Sequence, residues 1–121
     1  MKKQKTYKVG LYLRLSRDDG DNVESQSITN QRTILTTFLK NSKEHFAIIN
    51  EYVDDGYSGS NFNRPAWKQL MMDVHNKIID TIITKDLSRM GRDYISMGQY
   101  IEREFPEKGI RYIAKDDDID T

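Results

Sequence analysis

The chain has no cysteine, two prolines, two histidines and one tryptophan in 121 residues, and its 19 basic and 19 acidic side chains cancel. Without cysteine there can be no disulfide, no thiolate nucleophile and no cysteine-based zinc site. His45 and His75 fall on segments that read as ordinary surface, so no histidine metal site is expected. No run approaches the roughly 18 apolar residues of a membrane span, and the opening MKKQKTYK lacks the apolar centre of a signal peptide. No membrane partner is therefore expected, and the cytoplasm is the expected compartment. Zero net charge leaves the domain as a whole without a basic field for holding nucleic acid. The length suits one domain, and with 36% apolar and 31% charged residues the core should be thin and the surface well charged.

What is present alternates. YKVGLYL (7 to 13) reads as a strand, and SITNQRTILTTFLKN sets Ile28, Leu35, Phe38 and Leu39 on one helical stripe, with Ser25 or Ser27 as candidate N-caps. FAIINEYV (46 to 53) is a second strand. DDGYSGSNFNR follows as a loop without apolar period, ending at Pro65, a favoured first helical residue. In PAWKQLMMDVHN, Trp67, Leu70, Met71 and Val74 share a face. IIDTIIT (78 to 84) reads as a short strand buried on both sides. The polar turn KDLSRMGR leads into a helix over DYISMGQYIEREFPEK, capped by Asp93 and closed by Pro106 and Gly109, and IRYIA (110 to 114) is a fourth strand. The acid runs at 18 to 21 and 116 to 118 read as solvated faces.

Strand and helix in strict alternation predict an α/β fold: an open, mainly parallel sheet of four to five strands with helices on both faces. In such folds the site lies beyond the carboxyl ends of the strands. Strand 1 runs into Arg14, Ser16 and Arg17. Strand 2 runs into Asp55, Ser58 and Arg64, and strand 3 into Lys85, Asp86, Ser88, Arg89 and Arg92. Gln31 faces the same edge from the first helix. Four arginines with Lys85 nearby would thus surround one serine hydroxyl. Guanidinium forks match phosphate oxygens and suit a transition state with charge spread over equatorial oxygens, so the expected reaction is attack by Ser16 on a phosphoryl group. GxSxG is absent and no histidine is near Ser16 in sequence, which disfavours an acyl-transfer serine hydrolase.

Taken singly, each residue has an ordinary reading as a loop hydroxyl, a solvated charge or, for Gln31, a surface amide. Together, YLRLS after the first strand, DDGYSGSNFNRP after the second and KDLSRMGRD after the third resemble the catalytic domain of the serine recombinases, the resolvase and invertase family. The similarity is nearest to the large serine recombinases and transposon-encoded site-specific recombinases, and it runs from about Tyr7 to Asp120. The resemblance implies a resolvase N-terminal-domain fold and a metal-free reaction without cofactor. The serine attacks a DNA phosphodiester, leaves a 5′-phosphoserine link and a free 3′-hydroxyl, and strands rejoin after four subunits exchange them. It assigns the nucleophile to Ser16 and phosphate binding to Arg14, Arg64, Arg89 and Arg92. Gln31, Asp55 and Ser58 take supporting positions, and Tyr12 opens the YxRxS signature. Where small resolvases often carry an acid before the third-motif arginine, this chain has Ser88, which leaves a proton-transfer role there unsupported, with Asp86 nearby.

The resemblance further implies double-stranded DNA as partner through a full-length protein, with a homodimer or tetramer as the working state and the bacterial nucleoid as its place. The long dimerisation helix and DNA-reading modules of that family are not found in the sequence, so an excised catalytic domain, inactive by itself, is expected. The rival is a receiver-like magnesium-binding signalling domain that would use Asp54, Asp55 and Asp86. A catalytically silent assembly module is a second alternative.

Overall fold

The computed structural model describes residues 5–15, 26–55, 65–86 and 100–121. Within them the strands β1 (Thr6–Leu15), β2 (His45–Asp55), β3 (Thr81–Thr84), β4 (Arg111–Ala114) and β5 (Ile119–Asp120) form one sheet in the order β2-β1-β3-β4-β5. The first four are parallel and β5 is antiparallel to β4. This is the open α/β sheet that the alternation predicts. Its fifth strand is drawn from the acidic tail, where Asp118 takes a left-handed conformation (φ 59°) so that Ile119 and Asp120 can turn back on β4.

β1 lies inside the sheet, between β2 and β3, and its side chains divide between two cores because alternate residues of a strand face opposite ways. Val9, Leu11 and Leu13 join Ile28, Leu35 and Leu39 of α1 (Gln26–Lys40), together with Ile83 and Ile113. Tyr12 joins Tyr52 and the Trp67, Leu70 and Val74 face of α2 (Pro65–His75), with Phe105 of α3 (Phe105–Glu107). Helices therefore cover both faces. Gly10 is needed for this closeness, because a Cβ there would lie 2.8 Å from Ile79 Cδ1 and 2.9 Å from Tyr52 Cε2.

Several boundaries differ from the sequence reading. α1 begins at Gln26, so Ser27 lies inside the helix and is not its cap; Ser25 falls outside the described residues. β3 starts at Thr81, later than the expected residue 78, because α2 closes with Lys77 in the left-handed region (φ 62°) and the Ile78 N–H returning to the Asp73 carbonyl. Ile78 is left exposed while Ile79 is buried. Pro106 does not end its helix. A π-helical turn, Tyr100–Glu104, passes into α3 with Pro106 inside it, and Gly109 (φ 70°) closes the segment as the Ile110 N–H bonds the Phe105 carbonyl. Against β2 the register of β1 shifts between Val9 and Gly10, so Ile49 is an extra residue that bulges from the edge strand β2.

The amino edge of the sheet is fastened by Arg111. Its guanidinium pairs with Glu44 and Asp120 and lies 4.7 Å from the Tyr7 ring centre and 5.6 Å from that of Phe46. Hydrogen bonding to Arg111 holds the Glu44 carboxyl below its ordinary pKa. The carboxyl edge, at the other end of the strands, is where the sequence places its chemistry.

Candidate active site

Tyr12, Arg14, Gln31, Lys85 and Asp86 are described in full, and Asp55 is placed by its backbone at the end of β2. Ser16, Ser58, Arg64, Ser88, Arg89 and Arg92 lie outside the described residues, as do the helix start at Asp93 and the acid run at 18 to 21.

Arg14 stands at the carboxyl end of β1, opposite Asp54 of β2, and only 1% of its surface is exposed. A buried guanidinium is costly unless it is hydrogen-bonded and offset by negative charge. Its backbone is held by Gln31. The Arg14 N–H donates to Gln31 Oε1 at 3.4 Å, and Gln31 Nε2 donates to the Arg14 carbonyl at 3.1 Å. β1 pairs with β3 only from Val9 to Leu11, and past that stretch the Gln31 amide bonds β1 as a strand's peptide group would. Gln31 is itself buried, which departs from the ordinary reading of a surface amide.

Tyr12 is fully buried two residues earlier, its ring edge-on to Trp67 at 5.4 Å between centres. Its hydroxyl donates to Asp54 Oδ2 at 2.8 Å. The same carboxylate accepts the Ala66 N–H at 2.9 Å and the Trp67 N–H at 3.0 Å. The sequence marks Asp54 only as a magnesium ligand of the rival reading. The structure gives its oxygens to a tyrosine hydroxyl and to the first turn of α2, which removes it from that role. The available signal was Arg64 ahead of Pro65: a helix whose preceding residue has no capping oxygen needs its cap from elsewhere.

Lys85 and Asp86 follow β3. Lys85 Nζ lies 2.6 Å from Asp116 Oδ2 and 3.7 Å from Asp86 Oδ2, and the Lys85 carbonyl accepts the Asp116 N–H. Hydrogen bonding to Lys85 holds the Asp116 carboxyl below its ordinary value. Lys85 thus joins the β3 end to the turn after β4, whose acids are otherwise exposed. Thr84 Oγ1 donates to the Asp86 carbonyl and shares a 2.7 Å hydrogen bond with the Tyr112 hydroxyl, whose ionisation burial pushes upward.

The family model described as the resolvase N-terminal domain matches residues 9–121. Among solved structures, the N-terminal catalytic domain of TP901-1 integrase superposes with a TM-score of 0.79 at 29% identity, covering 94% of this chain and 81% of that one. A resolvase family site-specific recombinase from Streptococcus pneumoniae gives 0.70 at 26% identity, over 95% of this chain and 76% of that one. A serine recombinase from Sulfolobus solfataricus shares the fold at 0.67 and 21% identity, over 88% and 68% of the two chains. The comparison with curated proteins gives no match. No helix among the described residues is long and apolar enough to cross a membrane.

Proposed function

The chain belongs to the resolvase family and is a site-specific recombinase catalytic domain, and from that premise we propose that Ser16 is the nucleophile that opens the DNA backbone. The observation that carries this assignment is Arg14: a guanidinium buried at the end of β1, two residues before a serine. A new bond forms between Ser16 Oγ and phosphorus while the bond from phosphorus to the 3′-oxygen breaks. The serine hydroxyl gives up its proton and the leaving 3′-oxygen gains one. Reversal by a 3′-hydroxyl restores the strand, with the phosphoserine link conserving the energy of the broken bond.

Arg14, Arg64, Arg89 and Arg92 are proposed to offset the charge on the phosphate oxygens in place of a metal or other cofactor. Gln31, Asp55, Ser58, Tyr12, Lys85, Asp86 and Ser88 are the supporting set. In this reading the domain works on double-stranded DNA within a longer recombinase chain, as dimers and tetramers, in the bacterial cytoplasm and at its nucleoid.

The test is to incubate the protein, within a recombinase chain that includes DNA-reading modules, with a substrate that suspends cleavage, and to map the residue linked to DNA. The link is expected at Ser16, lost in Ser16→Ala and retained when divalent metal is chelated. A link that persists in Ser16→Ala, or that chelation abolishes, overturns the assignment.

A further inference from the structure

The sequence offers no capping oxygen at the position adjoining the described start of α2. Pro65 is its first residue and lacks an N–H, and Arg64 before it has no side-chain oxygen to accept from Ala66 or Trp67. Those two N–H groups are the ones an N-cap side chain ordinarily satisfies. Here both are taken by Asp54, twelve residues upstream of Ala66 and at the end of a different element. Asp54 is 1% exposed, and a carboxylate suits the positive end of a helix. The Tyr12 hydroxyl, from the neighbouring strand, completes its bonding. One side chain thus joins β1, β2 and the first turn of α2.

We infer that Asp54 is a positioning residue for strand cleavage: together with Tyr12 it fixes the start of α2, and hence the backbone to which Arg64 is attached, relative to the strand that carries Arg14 and leads to Ser16. This rests on the assignment of Ser16 and Arg64 above and deepens it. With the cap supplied by Asp54, the residue before Pro65 can be an arginine, its side chain left for phosphate. Tyr12, fully buried, supports the site through Asp54 and has no surface to offer to DNA.

A second buried pair gives the control. The Tyr52 hydroxyl donates to Asp73 Oδ2 at 2.5 Å and also ties β2 to α2, yet Asp73 lies in the last part of that helix, away from the carboxyl edge. Its loss should weaken the same contact without moving the first turn.

The experiment measures single-turnover formation of the Ser16–DNA link at saturating suspended substrate, alongside DNA affinity, in a recombinase chain with DNA-reading modules. Asp54→Ala is expected to slow the link about 100-fold, the scale of an ångström misplacement. Asp54→Asn, which keeps one acceptor, and Tyr12→Phe should lose less. DNA affinity should be unchanged in all three, and Tyr52→Phe should keep the wild-type rate. In an Arg64→Lys background, Asp54→Asn should cost much less than it does alone, because both substitutions act on the same contact. If Asp54→Ala does not fold, Asp54→Asn, Tyr12→Phe and the cycle with Arg64→Lys decide. Wild-type rates in Asp54→Asn and Tyr12→Phe, losses that add fully to that of Arg64→Lys, or an equal loss in Tyr52→Phe would overturn the inference. If the unsubstituted protein forms no link at Ser16, the assignment of the nucleophile fails first and takes this inference with it.

Discussion

Gln31 bonds both polar groups of the Arg14 backbone through a single side-chain amide. Because these groups are buried, removing the amide leaves an N–H and a carbonyl without partners. Gln31→Ala should therefore cost about 2–4 kcal/mol in urea denaturation. Gln31→Glu retains the acceptor but loses the donor while ionised. Its deficit relative to wild type should shrink as pH falls through the carboxyl pKa, because the protonated acid can again donate to the Arg14 carbonyl. A deficit independent of pH would show that the donor half of the amide contributes nothing.

Gly10 sits where α2 and the end of Ile79 press on β1. Gly10→Ala should destabilise the domain by about 1–3 kcal/mol through overpacking, since a Cβ would meet Ile79 and Tyr52 at sub-contact distances. Ile79→Ala is itself a core truncation, but in its background Gly10→Ala should cost less than it does alone if the clash is the cause. Denaturation midpoints of the single and double variants provide the check.

Two surface carboxylates shape the acid limb of stability. Arg111 lowers the folded pKa of Glu44 from 4.5, and Lys85 lowers that of Asp116 from 3.8. For a depressed acid, the stabilisation is complete above the unfolded pKa and is lost as pH falls through the folded one. The loss should therefore begin near pH 5 and continue below the two ordinary values. It should be no more than about 1 kcal/mol per group, because both carboxylates are well exposed and screened. Glu44→Gln with Asp116→Asn should flatten stability between pH 5 and the acid transition, as read by urea midpoints across pH, and added salt should diminish the difference from wild type.

Lys77 adopts a left-handed conformation at the end of α2, a position glycine occupies without steric cost. Lys77→Gly should stabilise the domain by a few tenths to about 1 kcal/mol, relief of the left-handed strain outweighing the added freedom of the unfolded chain. The Lys77 carbonyl that accepts from Lys8 Nζ remains in the variant. A lower melting temperature in Lys77→Gly would refute the balance.

Among the described residues, the order of the first four strands and the helical faces of α1 and α2 were legible because they follow from local patterns. The stripe Ile28, Leu35, Leu39 and the face Trp67, Leu70, Val74 were readable as helical faces, and all six residues are buried. Element ends were less so: the start of β3 depended on Lys77 adopting a conformation that nothing in its side chain announces. At the site, Tyr12, Arg14 and Gln31 could be named from the motif, but not the use each makes of its atoms. Gln31 had the sequence context of a surface amide and proved to be buried against a strand that has run past its neighbour.

By itself the sequence determined the alternation of strands and amphipathic helices, the parallel sheet that short crossovers impose, and the three motifs that mark the family. These depend on periodicity and spacing along the chain, which neighbouring residues settle among themselves. Only the tertiary structure decided that Asp54 caps a helix twelve residues on, that Lys85 turns to Asp116, that Ile49 bulges from β2, and that the acidic tail supplies an antiparallel β5. A buried polar atom bonds whatever partner the packed chain brings within about 3 Å, and that choice is made across the sheet and between separate elements, where no local pattern records it.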